Sequence, residues 1–424
     1  MSVEPGCGGG WWTTFQRPGG TFPAMLWPPT AAGFSGKVKA MWFGANPAGL
    51  DTNETLALMA RHAVAGYGWQ TGGDTSTSAA VGRGDAFGSS AVAHSRAFMD
   101  SHNNSVGGAS SNRNDGTVLF QYRQIQIALR LHAQAAIAVA NPINDGFWLR
   151  DPTGRLCATH TPWLTDDPMW DFRNASAVTY WIDHVIAQVA TDPSMVGRRS
   201  AVFFDEADQL GCGYEHGCGI EFSCSCNLSA INRTALQHAS IHDMFPRMVA
   251  ALNDAGIVPI FSMTNRFVQA AEQIPGAPVP CKLPEDELVT ALKGLSWVRF
   301  YENWPGSLYT HPSYSPDIDA MFIANAILEA EAGVPTAIHV DGGGAGAACP
   351  AAPRSITRPG PLGGPIEFWV ASYLVVAGAG STLSISNNWL DGGFCWRPEL
   401  DVEYGVPLGP AVRSTADGGA RLGS

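Results

Sequence analysis

The stretch AVFFDEADQ, residues 201–209, decides how the chain is read. Four apolar residues in a row suit a strand buried on both faces. The run then breaks into Asp205, Glu206 and Asp208. A buried strand can end in carboxylates when its end opens onto a solvent-filled mouth. That reading requires more strands of the same kind around it.

Seven further short apolar runs are present: KVKAMWFGA (37–45), AVAGYGWQ (63–70), AAIAVANP (135–142), IVPIFSMTN (257–265), SWVRFYENW (296–304), VPTAIHVDGG (334–343) and STLSISNNW (381–389). Segments with helical spacing alternate with them. VLFQYRQIQIALRLH (118–132) reads as the helix after the second run, with Val118, Tyr122, Ile125, Leu129 and His132 on one face. AVTYWIDHVIAQVA (177–190) carries a second stripe of Val178, Ile182, Val185, Ile186 and Val189. Gly256 and Gly333 stand where helices close, and Pro284 stands where one opens. Trp181 and Trp369, on helix stripes, read as packing residues.

Eight strands alternating with helices predict an α/β fold, a (β/α)8 TIM barrel spanning 37–390. An open doubly wound sheet is disfavoured by the eight repeats and by the lack of a G-x-G-x-x-G after the first strand. Residues 1–36 read as an N-terminal extension, and 391–424 as a C-terminal extension packing on the barrel. The Gly/Ser/Asn-rich stretch 71–116 reads as a long loop insertion, and 211–226 as a Cys-rich loop beside the mouth. The RGD at 83–85 reads as chance.

The chain of 424 residues is 45% apolar and 15% charged, a composition with ample material for a core. Its net charge of −12 argues against a nucleic-acid or anionic-membrane partner. No apolar run is long enough to span a bilayer. MSVEPGCGGGWWTTFQ at the start has neither a basic nor an apolar signal-peptide region. Sequons at Asn53, Asn103, Asn174, Asn227 and Asn232, and nine cysteines, point instead to an extracellular or secretory protein. The cluster Cys212, Cys218, Cys224, Cys226 reads as local disulfides. With His216 it has no common zinc spacing.

Barrel sites lie at the C-terminal ends of strands. Those ends carry Trp42 and Asn46; Trp69 and Gln70; Asn141; Asp205, Glu206 and Asp208; Thr264 and Asn265; Glu302, Asn303 and Trp304; Asp341; and Asn387, Asn388 and Trp389. Indole faces stack on pyranose C–H faces, while carboxylates and amides bond hydroxyls. A pair of carboxyls can cleave a glycosidic bond, at about 5–5.5 Å separation for retention and about 6.5–9.5 Å for inversion. The Gly-rich DGGGAG (341–346) lacks the Lys or Arg of a phosphate cradle and reads as a flexible loop.

Eight βα units, with FFDE (203–206) ending the fourth strand and a carboxylate ending the sixth, resemble the α-galactosidase-type (clan D-like) glycoside hydrolases. The tail VEYGVPLGPA (402–411) is similar to the segment following the barrel in several glycoside hydrolase families. The resemblance implies Asp205 as nucleophile and Glu302 as acid/base, although α-galactosidases carry Asp at the sixth strand. Asp205 and Glu206 cannot both face inward on a regular strand. If Glu206 is the inward one, a strand-four acid with Asp341 becomes the alternative pair. The expectation is a retaining O-glycosidase acting on a carbohydrate, with no cofactor or metal. The alternative is a non-catalytic carbohydrate-binding barrel. A phosphosugar isomerase or aldolase is disfavoured by the lack of a strand-end Lys.

Overall fold

The computed structural model describes residues 40–44, 52–68, 82–105, 117–160, 165–205, 207, 223–226, 231–262, 284–301, 323, 326–327, 329–330, 332–341, 366–378, 380–386, 398–404, 412–413 and 420–421. Eight parallel strands form one sheet in chain order: β1 (Met41–Gly44), β2 (Val64–Tyr67), β3 (Val118–Gln124), β4 (Ser200–Asp205), β5 (Ile257–Ser262), β6 (Val298–Tyr301), β7 (Thr336–Asp341) and β8 (Thr382–Ser386). A parallel bridge between Ala40 and Leu383 joins the first strand to the last, so the sheet closes into a (β/α)8 barrel.

Alternation along the strands sorts their side chains into two layers. Met41, Val64, Val118, Phe120, Ala201, Phe203, Ile260 and Phe300 fill the barrel. Ala65, Leu119, Val202, Phe204, Phe261 and Ile338 face outward, against helices. Those helices are α1 (Asn53–Met59), α2 (Gly84–Ser105), α3 (Ala133–Ala140), α4, α5, α6 (Pro284–Ala291) and α7 (Ile366–Val376). The fourth, α4, runs as Ala175–Tyr180, a π turn Trp181–Ile186, and Ala187–Ala190. The fifth, α5, runs as Arg233–Ala239, a π turn Ser240–Met244, and Phe245–Asp254. Val178, Trp181, Val185, Ile186 and Val189 are buried on α4, and Trp369 is buried on α7. Gly256 (φ 75°) and Gly333 (φ 83°) turn the chain from helix into β5 and β7.

The third unit differs from the sequence expectation. VLFQYRQ is a strand with all seven residues buried, not the start of a helix. AAIAVA, read as a strand, lies in α3. The stretch 71–116, expected as a loop, holds the 22-residue α2. The polar residues of β3 explain the first reversal: Gln121 and Arg123 face outward and pair with Asp192 at 3.0 Å and Asp85 at 2.9 Å. Those two residues break the apolar alternation that would have marked a strand. Alanine has the best helix propensity, which favours α3. Small residues hide the stripe of α2, whose buried positions include Ala91, Val92, Ser95 and Met99. Its Ser95 hydroxyl returns to the Ala91 carbonyl at 2.8 Å.

Loops after β3 and β4 build a small antiparallel sheet from Ala158–His160, Thr165–Pro168 and Ser223–Cys224. A disulfide joins Cys157 to Cys226 beside it. The Cys-rich segment is therefore tied to the preceding βα loop, 69 residues away, and Cys226 is not paired locally. Asp85 of the RGD tripeptide is 3% exposed, so its carboxylate is not presented at the surface.

Candidate functional site at the barrel mouth

Ala201 and Phe203 point into the barrel, Val202 and Phe204 away from it. Asp205 continues the inward set at the last position of β4, opposite Gln124 of β3, and is half-buried. The Tyr122 hydroxyl donates to Asp205 Oδ2 at 2.7 Å. Below the carboxylate, aromatic rings cross the barrel. Tyr122 stacks on Phe203 (6.2 Å), Phe203 meets Phe300 edge-on (4.9 Å), and Phe300 stacks on the fully buried His339 (6.1 Å). These rings fill the barrel beneath the carboxylate, which stands at the end of β4.

Behind Tyr122 lies a buried ionic cluster. Asp85, in the first turn of α2, accepts from Arg123 Nη2 (2.9 Å) and the Ala133 amide (2.7 Å), and pairs with His132 Nδ1 (2.9 Å). The three side chains are 3%, 3% and 6% exposed. Burial alone would push the Asp85 carboxyl up, but Arg123, His132 and the Ala133 amide hold it well below the usual carboxylate range. Burial pushes His132 down, against the pull of Asp85. The His132 ring stacks on Tyr122 at 6.3 Å. A cavity of about 20 Å³, lined in part by Tyr67, Gln121, Tyr122, Arg123 and His132, lies within this cluster.

Of the residues expected at the site, Asp205 is described with its side chain. Asp341 is the last residue of β7, in register with Ser386 and in the alternating set of Ala337 and His339. Trp42 lies on β1, its backbone in register with Ala65 of β2. Asn46, Trp69, Gln70, Glu206, Asp208, Thr264, Asn265, Glu302, Asn303, Trp304, Asn387, Asn388 and Trp389 lie outside the described residues.

Asn141 does not end a strand. It follows α3 and caps the short 3-10 helix Pro142–Phe147, its side chain accepting from Ile143 N at 3.2 Å. The third strand ends at Gln124, and Tyr122 and Gln124 take the place in the mouth that the sequence reading gave to Asn141. Alternation from Val118 would have found both, once 118–124 was taken as a strand. Among the described residues, no group of three or more His, Cys, Asp or Glu side chains could hold a metal. No helix there is long and apolar enough to cross a membrane.

No protein-family model matches the chain, and no curated protein does. Solved structures similar to it include an alpha-galactosidase from Thermus thermophilus in complex with p-nitrophenyl alpha-D-galactopyranoside. That match has 12% identity and a TM-score of 0.36, and covers 88% of this chain. The chain spans 61% of that enzyme's length. A Glycoside Hydrolase 5 lichenase mutant from Caldicellulosiruptor sp. F32, in complex with cellotetraose, matches at 11% identity and TM-score 0.39, covering 92% of this chain and 98% of its own. Endo-glycoceramidase II from Rhodococcus sp. matches at 12% identity and TM-score 0.36, covering 87% and 78%. At these scores the likeness speaks to neither substrate nor mechanism.

Proposed function

We propose that the chain is a retaining glycoside hydrolase whose reaction takes place at the barrel mouth. The observation that carries the reading is Asp205: an inward-facing, half-buried carboxylate at a strand's C-terminal end, bonded by a phenol above an aromatic floor. Asp205 attacks the anomeric carbon while Glu302 protonates the leaving oxygen. Glu302 then takes a proton from water, and that water displaces Asp205. Every proton moves between these carboxyls, substrate and water. Trp69, Trp304 and Trp389 offer faces to sugar rings, and Asn46, Asp208, Asn265, Asp341 and Asn387 bond hydroxyls.

Release of reducing sugar from a panel of α- and β-linked glycans, wild type beside Asp205→Asn, tests this reading. Activity present in the wild type and lost by at least about a thousandfold in the variant is expected, as for removal of a catalytic nucleophile. Activity that survives moves the nucleophile to Glu206 or Asp341. No activity from a folded wild type leaves a carbohydrate-binding barrel without catalysis. We also propose a secretory or extracellular location, supported by the Cys157–Cys226 disulfide. A mass loss on enzymatic N-deglycosylation of the natively expressed protein is expected; no loss counts against it.

A further inference from the structure

We propose that Tyr122 is a positioning residue for Asp205, and that the buried Asp85–His132 pair holds Tyr122 in place. The proposal deepens the glycosidase reading and rests on it. The Tyr122 phenol is an O–H donor to Oδ2, a charge-assisted bond that favours the ionised carboxylate and fixes its plane. The phenol ring is held between two others, Phe203 at 6.2 Å with 21° between planes and His132 at 6.3 Å with 22°. His132 is in turn bonded through Nδ1 to Asp85, which Arg123 and the Ala133 amide also bind. Contacts therefore run from the first turn of α2, through the start of α3, to the reacting carboxylate on β4.

Stability alone gives little reason for such a cluster. A buried ion pair is often replaceable by apolar side chains at no cost. Its location supplies the reason: it backs a ring that both stacks under the mouth and bonds Asp205. Among the described residues, the ionisable groups at this end include Tyr122 from β3 and His339 from β7, with Asp85, Arg123 and His132 behind Tyr122. In sequence, Glu206 and Asp208 follow β4, Glu302 follows β6, and Asp341 ends β7.

The test follows the Asp205 carboxylate directly, by carbon-13 NMR titration assigned through Asp205→Asn, beside kcat/KM against pH. Tyr122→Phe keeps the ring and removes the donor. The Asp205 titration is expected to rise by about one pH unit, the acid limb of kcat/KM to rise with it, and kcat to fall about tenfold while KM changes little. His132→Gln is expected to move the titration the same way by less, and to add nothing to Tyr122→Phe in the double variant. Where His132→Gln does not fold, Asp85→Asn takes its place.

An Asp205 titration unmoved in folded Tyr122→Phe overturns the positioning role. Full additivity in the double variant overturns the part played by His132. If no glycan is hydrolysed, the titration still decides the role of Tyr122, and only the glycosidase reading fails.

Discussion

At Gly66 the missing side chain is what the barrel needs. A Cβ there would lie 2.3 Å from the Phe120 ring, which fills the interior between β2 and β4 and lies 5.9 Å from Phe203. Gly66→Ala forces that ring off its position and is expected to cost about 1–3 kcal/mol. Urea unfolding checks it, and an unchanged midpoint would mean the interior yields more easily than its packing implies. Asp205 shows how far single residues can be read from sequence. Its place at the end of an apolar run was visible, because four buried residues before an acid are unusual. Tyr122 was not visible as its partner, because the bond between them crosses two strands 83 positions apart in sequence.

At the scale of elements, apolar runs with β-branched or aromatic residues marked seven of the eight strands. The eighth, β3, escaped because its outward residues are Gln121 and Arg123, polar side chains that are buried only because Asp192 and Asp85 meet them. No local pattern encodes a partner supplied by another helix. The same cluster gives a prediction about how α2, β3 and α3 hold together. Asp85→Asn leaves Arg123 buried without its counter-charge and is expected to cost about 3–5 kcal/mol at pH 7.

The sign of the pH dependence follows from the direction of the shifts. The folded Asp85 carboxyl sits below its unfolded value, so its contribution is complete above the usual carboxylate range and is lost as the pH falls through it. Burial pushes His132 down, and pushes His62 down to about 4, so both are likewise held neutral in the fold. Their contributions are lost as the pH falls below about 6.5, the unfolded value. Wild-type stability is therefore expected to decline from about pH 6.5 downward, and the gap to Asp85→Asn to narrow below about pH 4. Urea titrations at stepped pH measure both. A gap that widens on acidification would contradict the assignment.

On the scale of the whole molecule, the barrel sets the strand ends around one mouth, and the loops after β3 and β4 are tied into one wall by the Cys157–Cys226 disulfide. The sequence showed that cysteines cluster there. It could not show that Cys226 reaches back to Cys157, since pairing depends on which loops the closed sheet brings together. Cys157→Ser is expected to cost about 2–4 kcal/mol, read as a lower melting temperature. An unchanged melting temperature would mean the wall stands on its small sheet alone.

The central claim, that Asp205 is the carboxylate that reacts with sugar, is tested most directly by trapping it. The protein would be incubated with 2-deoxy-2-fluoro glycosyl fluorides of both anomeric configurations and mapped by peptide mass spectrometry. The account predicts a single fluoroglycosyl adduct on Asp205 itself, located by fragmentation of its peptide and absent from Asp205→Asn. An adduct on Glu206, Asp341 or any other carboxylate, or an active enzyme that none of these reagents labels, would contradict it.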